Sequence, residues 1–190
     1  MAVRLRRRFG ISAGMDKKLP LLLSAITAII LSVAGLLWWK GAFLPSWVKW
    51  NSTDIAAGEG LDITLRRRGV FVTRNGREIW RSENGWYVQD ALFFDVDRDR
   101  ENELVLTCWK HGSYGKHRPT GVKRDTIAFS QHVFIFRPDE NGFRPVWMSS
   151  ALDVQIADTS FDDRNCLVAE APDGTLTYWS WSGWGLERVK

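Results

Sequence analysis

Hydrophobic and polar positions divide the chain into two unlike parts. Leu19–Trp39 is an unbroken uncharged run, LPLLLSAITAIILSVAGLLWW. A helix over it is roughly 31 Å long at about 1.5 Å per residue, the thickness of a bilayer's hydrocarbon layer. Only a helix satisfies its backbone groups there, and Pro20 falls in the first turn, where a missing N–H costs little. From Leu61 onward the period shortens to two. Leu61–Leu65 alternates, and Val70–Thr73 and Arg77–Trp80 flank Asn75-Gly76, a dipeptide that favours a type I′ hairpin turn. Ala91–Phe94, Leu104–Trp109, His132–Arg137, Phe143–Trp147, Leu167–Glu170, Thr175–Trp181 and Trp184–Val189 follow as short apolar runs between polar turns. No stretch after Lys40 repeats at 3.6 residues. The pattern predicts an all-β domain over 61–190, with 40–60 as an interfacial segment and linker in which Asn51–Gly60 is small and polar. Asn51-Ser52-Thr53 is also a glycosylation sequon.

The β part repeats itself. Val70-Phe71 returns as Val133-Phe134, and Trp80-Arg81-Ser82 as Trp147-Met148-Ser149. At the same offset Asp95, Asp99, Asn102, Leu104 and Val105 match Asp158, Asp162, Asn165, Leu167 and Val168. A recurring unit cannot bury its apolar face alone, so neighbouring units stack.

Charge changes the picture at the N-terminus. Seven Lys/Arg against one acid lie in residues 1–40, so the overall net charge of +4 leaves the remainder two charges negative. The pI near 9.3 is therefore no argument for nucleic-acid binding by the domain. The basic tail 1–18 before the apolar run reads as a topology determinant and anionic-lipid contact. By the positive-inside rule it stays in the cytoplasm and the domain lies outside, with Trp38, Trp39, Trp47 and Trp50 as an aromatic belt at the far interface. The competing reading is a cleaved signal peptide, with Ser32-Val33-Ala34 before the cut; the apolar run continues beyond that site.

Between two apolar runs lies Asp95-Val96-Asp97-Arg98-Asp99-Arg100-Glu101-Asn102-Glu103. Alternate acids in a tight loop converge their oxygens on one point, as a hard cation requires, with Glu101 offering its carbonyl. The other reading is a turn whose aspartates cap local N–H groups. This loop resembles the DxDxDGxxDL signature of FG-GAP/VCBS-type β-propeller repeats, integrin-like propellers included, through Asp95, Asp97, Asp99, Glu103 and Leu104. Arg100 stands where that family has glycine. The resemblance implies propeller-like antiparallel repeats and a calcium ion (Ca2+) in the loop. About two to three blade-like units are expected, counted from Ala91 with the N-terminal hairpin completing or extending one. Propellers close with about four to eight blades, so a partner subunit or further copies would complete a ring.

Other candidates are weaker in pattern. The loop Lys110–Asp125 is long and basic, and Lys116, His117 and Arg118 are candidate contacts for an anionic ligand. His111, His117, His132 and Asp125 match no zinc spacing. Trp179, Trp181 and Trp184 stack on sugar rings if exposed and pack a core if buried; Trp179 and Trp181 share one sheet face. Cys108 and Cys166 are a disulfide or two buried thiols. No nucleophile elbow, phosphate loop or dinucleotide fingerprint occurs. The expected function is a membrane-anchored, extracytoplasmic binding or scaffolding module of the cell envelope, not an enzyme, whose partner is a protein or an envelope polymer. The alternatives are a carbohydrate- or envelope-polymer-binding module and an envelope-polymer hydrolase.

Overall fold

The computed structural model describes residues 18–114, 118–140 and 142–189. Most of the basic tail, and Lys116 and His117, lie outside the described residues. The helix and a β domain beginning at Leu44 form two units.

The helix α1 spans Lys18–Trp39, and none of its apolar window is buried. It is long and apolar enough to cross a membrane. Its hydroxyls need no solvent: Ser24, Thr27 and Ser32 donate to the carbonyls of Leu21, Leu23 and Ala28. Such back-bonding removes the cost of carrying a hydroxyl into an apolar medium.

The domain is three four-stranded antiparallel meanders in chain order. The first holds β1 (Thr53–Gly58), β2 (Leu61–Arg66), β3 (Gly69–Arg74) and β4 (Arg77–Arg81). The second holds β5 (Tyr87–Phe94), β6 (Glu103–His111), β7 (Phe129–Asp139) and β8 (Gly142–Met148). The third holds β9 (Asp158–Phe161), β10 (Leu167–Glu170), β11 (Leu176–Trp181) and β12 (Leu186–Arg188). The all-β expectation holds, with a correction at the N-terminal side. Asn51–Gly60 is not a linker, because β1 lies within it and completes a first sheet. Asn51 is itself fixed, its N–H donating to Gln89 O and its side chain to Asp90. Trp47 and Trp50 also belong to the domain. The Trp47 ring lies 5.9 Å from that of Trp109, and the Arg68 guanidinium lies 4.1 Å from the Trp50 ring centre.

The repeat has a physical basis in strands three and four of the first two sheets. Ser82 Oγ accepts the N–H of Val70, and Ser149 Oγ accepts that of Val133. Each serine's own N–H returns to the carbonyl of the same valine. Trp80 pairs with Val72 and Trp147 with Ile135, and beside each Trp the fourth strand carries one extra residue, Ile79 or Val146. The acidic loops align differently from the expectation. Asp158 opens β9 and pairs with Glu170, so of the two aspartates matched to the first loop only Asp162 enters the second. Five residues separate Phe161 from Leu167, against ten between Phe93 and Leu104, so a constant offset misplaces the first strand.

The second sheet lies in the middle. Its Val88, Leu104, Leu106, Cys108, Phe134 and Phe136 meet Ile63, Leu65, Val70 and Val72 of the first sheet. Its Val105, Val133 and Ile135 meet Leu167 and Ala169 of the third. The unbroken apolar runs of β6 and β7 follow from burial on both faces. The outer faces are different. β2 turns Asp62, Thr64 and Arg66 outward, and β10 turns Val168 and Glu170 outward. Outer faces of this polarity let a stack end without a further sheet on either side.

A bulge in β5 shapes the centre. Val88 pairs with Cys108 and Asp90 with Thr107, so Gln89 is the extra residue. Its buried side chain leaves the strand alternation and enters a polar network. Gln89 Oε1 accepts from Trp109 Nε1 and Gln131 Nε2. Gln89 Nε2 donates to Ile156 O and Ala157 O, and Gln131 both accepts from Ile156 N–H and donates to Ile156 O. Asp90 accepts from Asn51 and from Thr159 Oγ1. These bonds tie the chain entering the domain, the middle sheet and the start of the third into one fully partnered cluster.

Three tight turns connect the first sheet. Glu59-Gly60 and Asn75-Gly76 carry positive φ with glycine second, as a type I′ turn prefers. The third, between β2 and β3, is Arg67-Arg68, with φ of 51° and 65° and no glycine. The left-handed conformation costs an ordinary residue about 1–2 kcal/mol.

Candidate functional site

The acidic loop joins β5 to β6, and each of its first three aspartates captures a backbone N–H. Asp95 Oδ2 accepts from Arg100, Asp97 Oδ1 from Asp99 and Asp99 Oδ1 from Glu101. Arg98 and Arg100 take φ of 66° and 77°. Arg100 thus adopts a left-handed conformation that favours glycine. The captured amides hold two such residues in a conformation they rarely adopt.

One oxygen from each of Asp95, Asp97 and Asp99 lies within 4.8 Å of the others. The focus of the loop is nevertheless a guanidinium. Arg137 of β7 reaches Asp97 Oδ2 at 2.5 Å, Glu103 Oε1 at 2.9 Å and Asp99 Oδ2 at 3.1 Å. Glu103 is 1% exposed, and its second oxygen accepts the Val96 N–H. Burial raises its pKa above the usual carboxylate range, and the Val96 N–H and Arg137 pull the other way. Of the five acids read as ligands, Asp97, Asp99 and Glu103 are taken by Arg137 and by backbone amides. Asp95 keeps one buried oxygen without a partner, and Glu101 is exposed. Arg137 neutralises Asp97, Asp99 and Glu103, while Asp95, Asp97 and Asp99 still bring three oxygens together as a cation would need, so the turn and cation readings both stand. Sequence reasoning missed Arg137 because it lies 34 residues from Glu103. Its trace was the single charge ending the apolar run HVFIF, beside a loop in need of a countercharge.

The second loop braces the first. Asn165 Nδ2 donates to Asp95 O at 3.0 Å, Arg98 donates to Arg164 O, and the Phe94 and Phe161 rings stack at 4.1 Å. Asp162 is held below the usual carboxylate range by the N–H of Cys166 and by Arg164.

Fixed in this way, the loop tip Arg100-Glu101-Asn102 lines an open groove of about 580 Å³ between the first two sheets. Glu59, Arg74, Asp139 and Glu140 complete its charged rim, with Phe93 and Leu61 at its apolar floor. Gly142 lies close by with φ of 134°; a Cβ there would come within 3.0 Å of Trp80 Cβ and 3.1 Å of Ile79 O, so the β7–β8 hairpin approaches β4 only with glycine at this point.

The tryptophans separate. Trp179 and Trp181 share a face, as expected, but it is the inner one: both pack half-buried against the second core, and Trp179 Nε1 donates to Thr177 Oγ1. They are not an exposed sugar platform, because strand alternation turns them toward the middle sheet. Trp184, in the β11–β12 turn, is 76% exposed. A small, partly open apolar gap of about 30 Å³ lies beside Trp147 and Trp179 between the second and third sheets.

The basic loop is organised by Asp125, which accepts from the N–H groups of Ser113, Tyr114 and Thr126. Arg118 is exposed and donates to Lys123 O. His111 lies on Phe129 at 3.8 Å, with Nδ1 at 2.7 Å from Ile127 O. His132 is fully buried, its ring nitrogens 3.1 Å from Ser149 O and 2.9 Å from Ser130 Oγ. Burial lowers its pKa, keeping the ring neutral at pH 7. Among the described residues His111, His132 and Asp125 do not converge on a zinc site. Ser130 and His132 form a polar pair with a carbonyl, rather than a carboxylate, at the far nitrogen. Cys108 and Cys166 are both buried and both free, so there is no disulfide.

No protein-family model, curated protein or solved structure matches this chain.

Proposed function

We propose that the chain is a single-pass, N-in membrane protein of the cell envelope whose FG-GAP-like β domain is an extracytoplasmic binding module. The groove beside the acidic loop is its binding face. The observation that carries this reading is the Arg137 ion-pair cluster. It uses buried charge to make a loop rigid, and the rigid tip forms one wall of a groove with a rim of both charge signs. Preorganised polar walls of this kind favour an extended polar partner such as a peptide segment. The uncharged run Leu19–Trp39 of the helix, with its self-satisfied hydroxyls, supports the anchor. The basic tail before it supports the orientation.

The test is site-specific photocrosslinking in intact cells, with a benzophenone side chain at Glu101 and a control at Asp62 on the outer face of β2. A discrete protein adduct at 101 and none at 62 is expected. Equal labelling at both positions would refute the groove. The specific observation for the carbohydrate alternative is exposed Trp184; a glycan adduct from position 184, with position 101 silent, would move the function there.

A further inference from the structure

The Arg67-Arg68 turn places like charges where the backbone prefers Asn-Gly. Arg66 and Arg67 are exposed, and Arg68 O accepts the Val88 N–H, which fixes the turn against the start of β5. The guanidinium groups are interleaved with rings. Arg66 and Arg81 lie 5.3 and 5.8 Å from the Phe71 centroid, and Arg68 lies over Trp50 and 5.9 Å from Tyr87. Arg81 is also paired with Glu78, and Glu83 stands on the same rim, so Arg66, Arg67 and Arg68 are the surplus charge. Arg67 and Arg68 line an open concavity of about 210 Å³ with Phe71, Arg81 and Tyr87.

Trp50, which Arg68 covers, lies close in sequence to Leu44, where the domain begins, and only residues 40–43 separate Leu44 from Trp39, the end of α1. Fully extended, that connection reaches about 18 Å at most, which keeps the domain close to the bilayer. Guanidinium groups among aromatic rings suit a headgroup layer, where phosphates meet the first apolar atoms.

We infer that Arg66–Arg68, with Phe71 and Tyr87, is a docking surface for anionic phospholipid headgroups that lays the domain on the bilayer holding its anchor. This rests on the membrane-anchor reading given above. Each arginine near an anionic surface is worth about fivefold in occupancy, so the pair Arg66 and Arg67 is worth on the order of thirtyfold. Replacing them as Arg66→Gln and Arg67→Asn removes charge while suiting the turn better.

The test uses the full chain in nanodiscs of phosphatidylcholine, and of equimolar phosphatidylcholine and phosphatidylglycerol. A spin label is attached at Asn84→Cys on the rim of this concavity, or at Glu187→Cys on the third sheet as control; both native cysteines are buried. The expected result is that a water-soluble nickel relaxation agent reaches the label at 84 less well in anionic discs only. The difference disappears in the Gln/Asn double variant and at about 0.5 M salt, where screening falls to a few ångströms. The label at 187 is unaffected. Equal accessibility at 84 in both discs, with the chain retained after carbonate washing of vesicles, overturns this inference alone. Loss of the chain on washing overturns the anchor and the inference with it.

Discussion

Arg137→Met retains the aliphatic stem and removes the charge shared by Asp97, Asp99 and Glu103. The structure sets the magnitude. Glu103 is 1% exposed, and the side chains of Arg137 and Asp97 are 20% and 19% exposed, so screening is limited. Removing one partner of a buried ion pair costs about 3–5 kcal/mol. The half-exposed Asp99 places this case at about 3 kcal/mol. For a domain of about 150 residues that is a fall in Tm of roughly 6–12 °C. The sign with pH follows from Glu103. Its folded pKa is already above the ordinary value, and losing Arg137 raises it further. A carboxylate with a raised folded pKa binds its proton more tightly in the folded state, so stability falls as pH climbs from the unfolded value, about 4.3, through the folded one. The variant's deficit is therefore smaller at about pH 4.5 than at pH 8, and Glu103→Gln in the same background recovers part of it at pH 8. The assay is thermal melting of the two single variants, the double variant and the parent at both pH values. A pH-independent deficit, or no recovery in the double variant, refutes the ion-pair account. Calcium supplies an independent arm: an unchanged parent Tm in millimolar calcium against EDTA favours the turn reading, and a rise of several degrees would show that the cation displaces Arg137.

Three further outcomes are expected. Gln131→Leu leaves Ile156 N–H without its acceptor and Gln89 with one donor fewer, at a cost of about 3 kcal/mol read from denaturant midpoints. Arg67→Asn relieves the strained turn and stabilises the domain by about 0.5–1 kcal/mol in the same measurement; a loss would show that the arginine makes a folded-state contact worth more than the strain. Trp179→Ala costs about 3 kcal/mol or more by emptying the second core, whereas Trp184→Ala stays within about 0.5 kcal/mol, and equal effects would contradict the inward orientation of β11.

How much was legible depends on whether a feature is written locally. The hairpin at Asn75-Gly76 and the return of Val70 and Trp80 as Val133 and Trp147 were readable because they depend on short-range turn chemistry and on a unit that packs the same way twice. β1 was not readable: Thr53–Gly58 is a small-residue edge strand that alternates only between half-buried and exposed positions. The loop register slipped because five residues are missing from one copy, and the pairing of Phe161 with Leu167 is invisible without the strands. The loop's countercharge was unreadable for a different reason. Alternate aspartates specify that negative charge converges, but not what neutralises it, and Arg137 arrives from another strand. The buried role of Gln89 follows from a bulge, and a period-two reading puts that side chain on the wrong face.

The bond from Asn51 to β5 has a mechanical consequence. A pull on the chain ahead of the domain reaches it at its first residues, and β1, an edge strand paired with β2, is the element such a load would unzip one bond at a time. The Asn51 N–H to Gln89 O and the Asn51 side chain to Asp90 lie upstream of that strand, on the middle sheet. A load on the chain before Asn51 is thereby passed to the sheet packed on both faces before it reaches the β1–β2 pair.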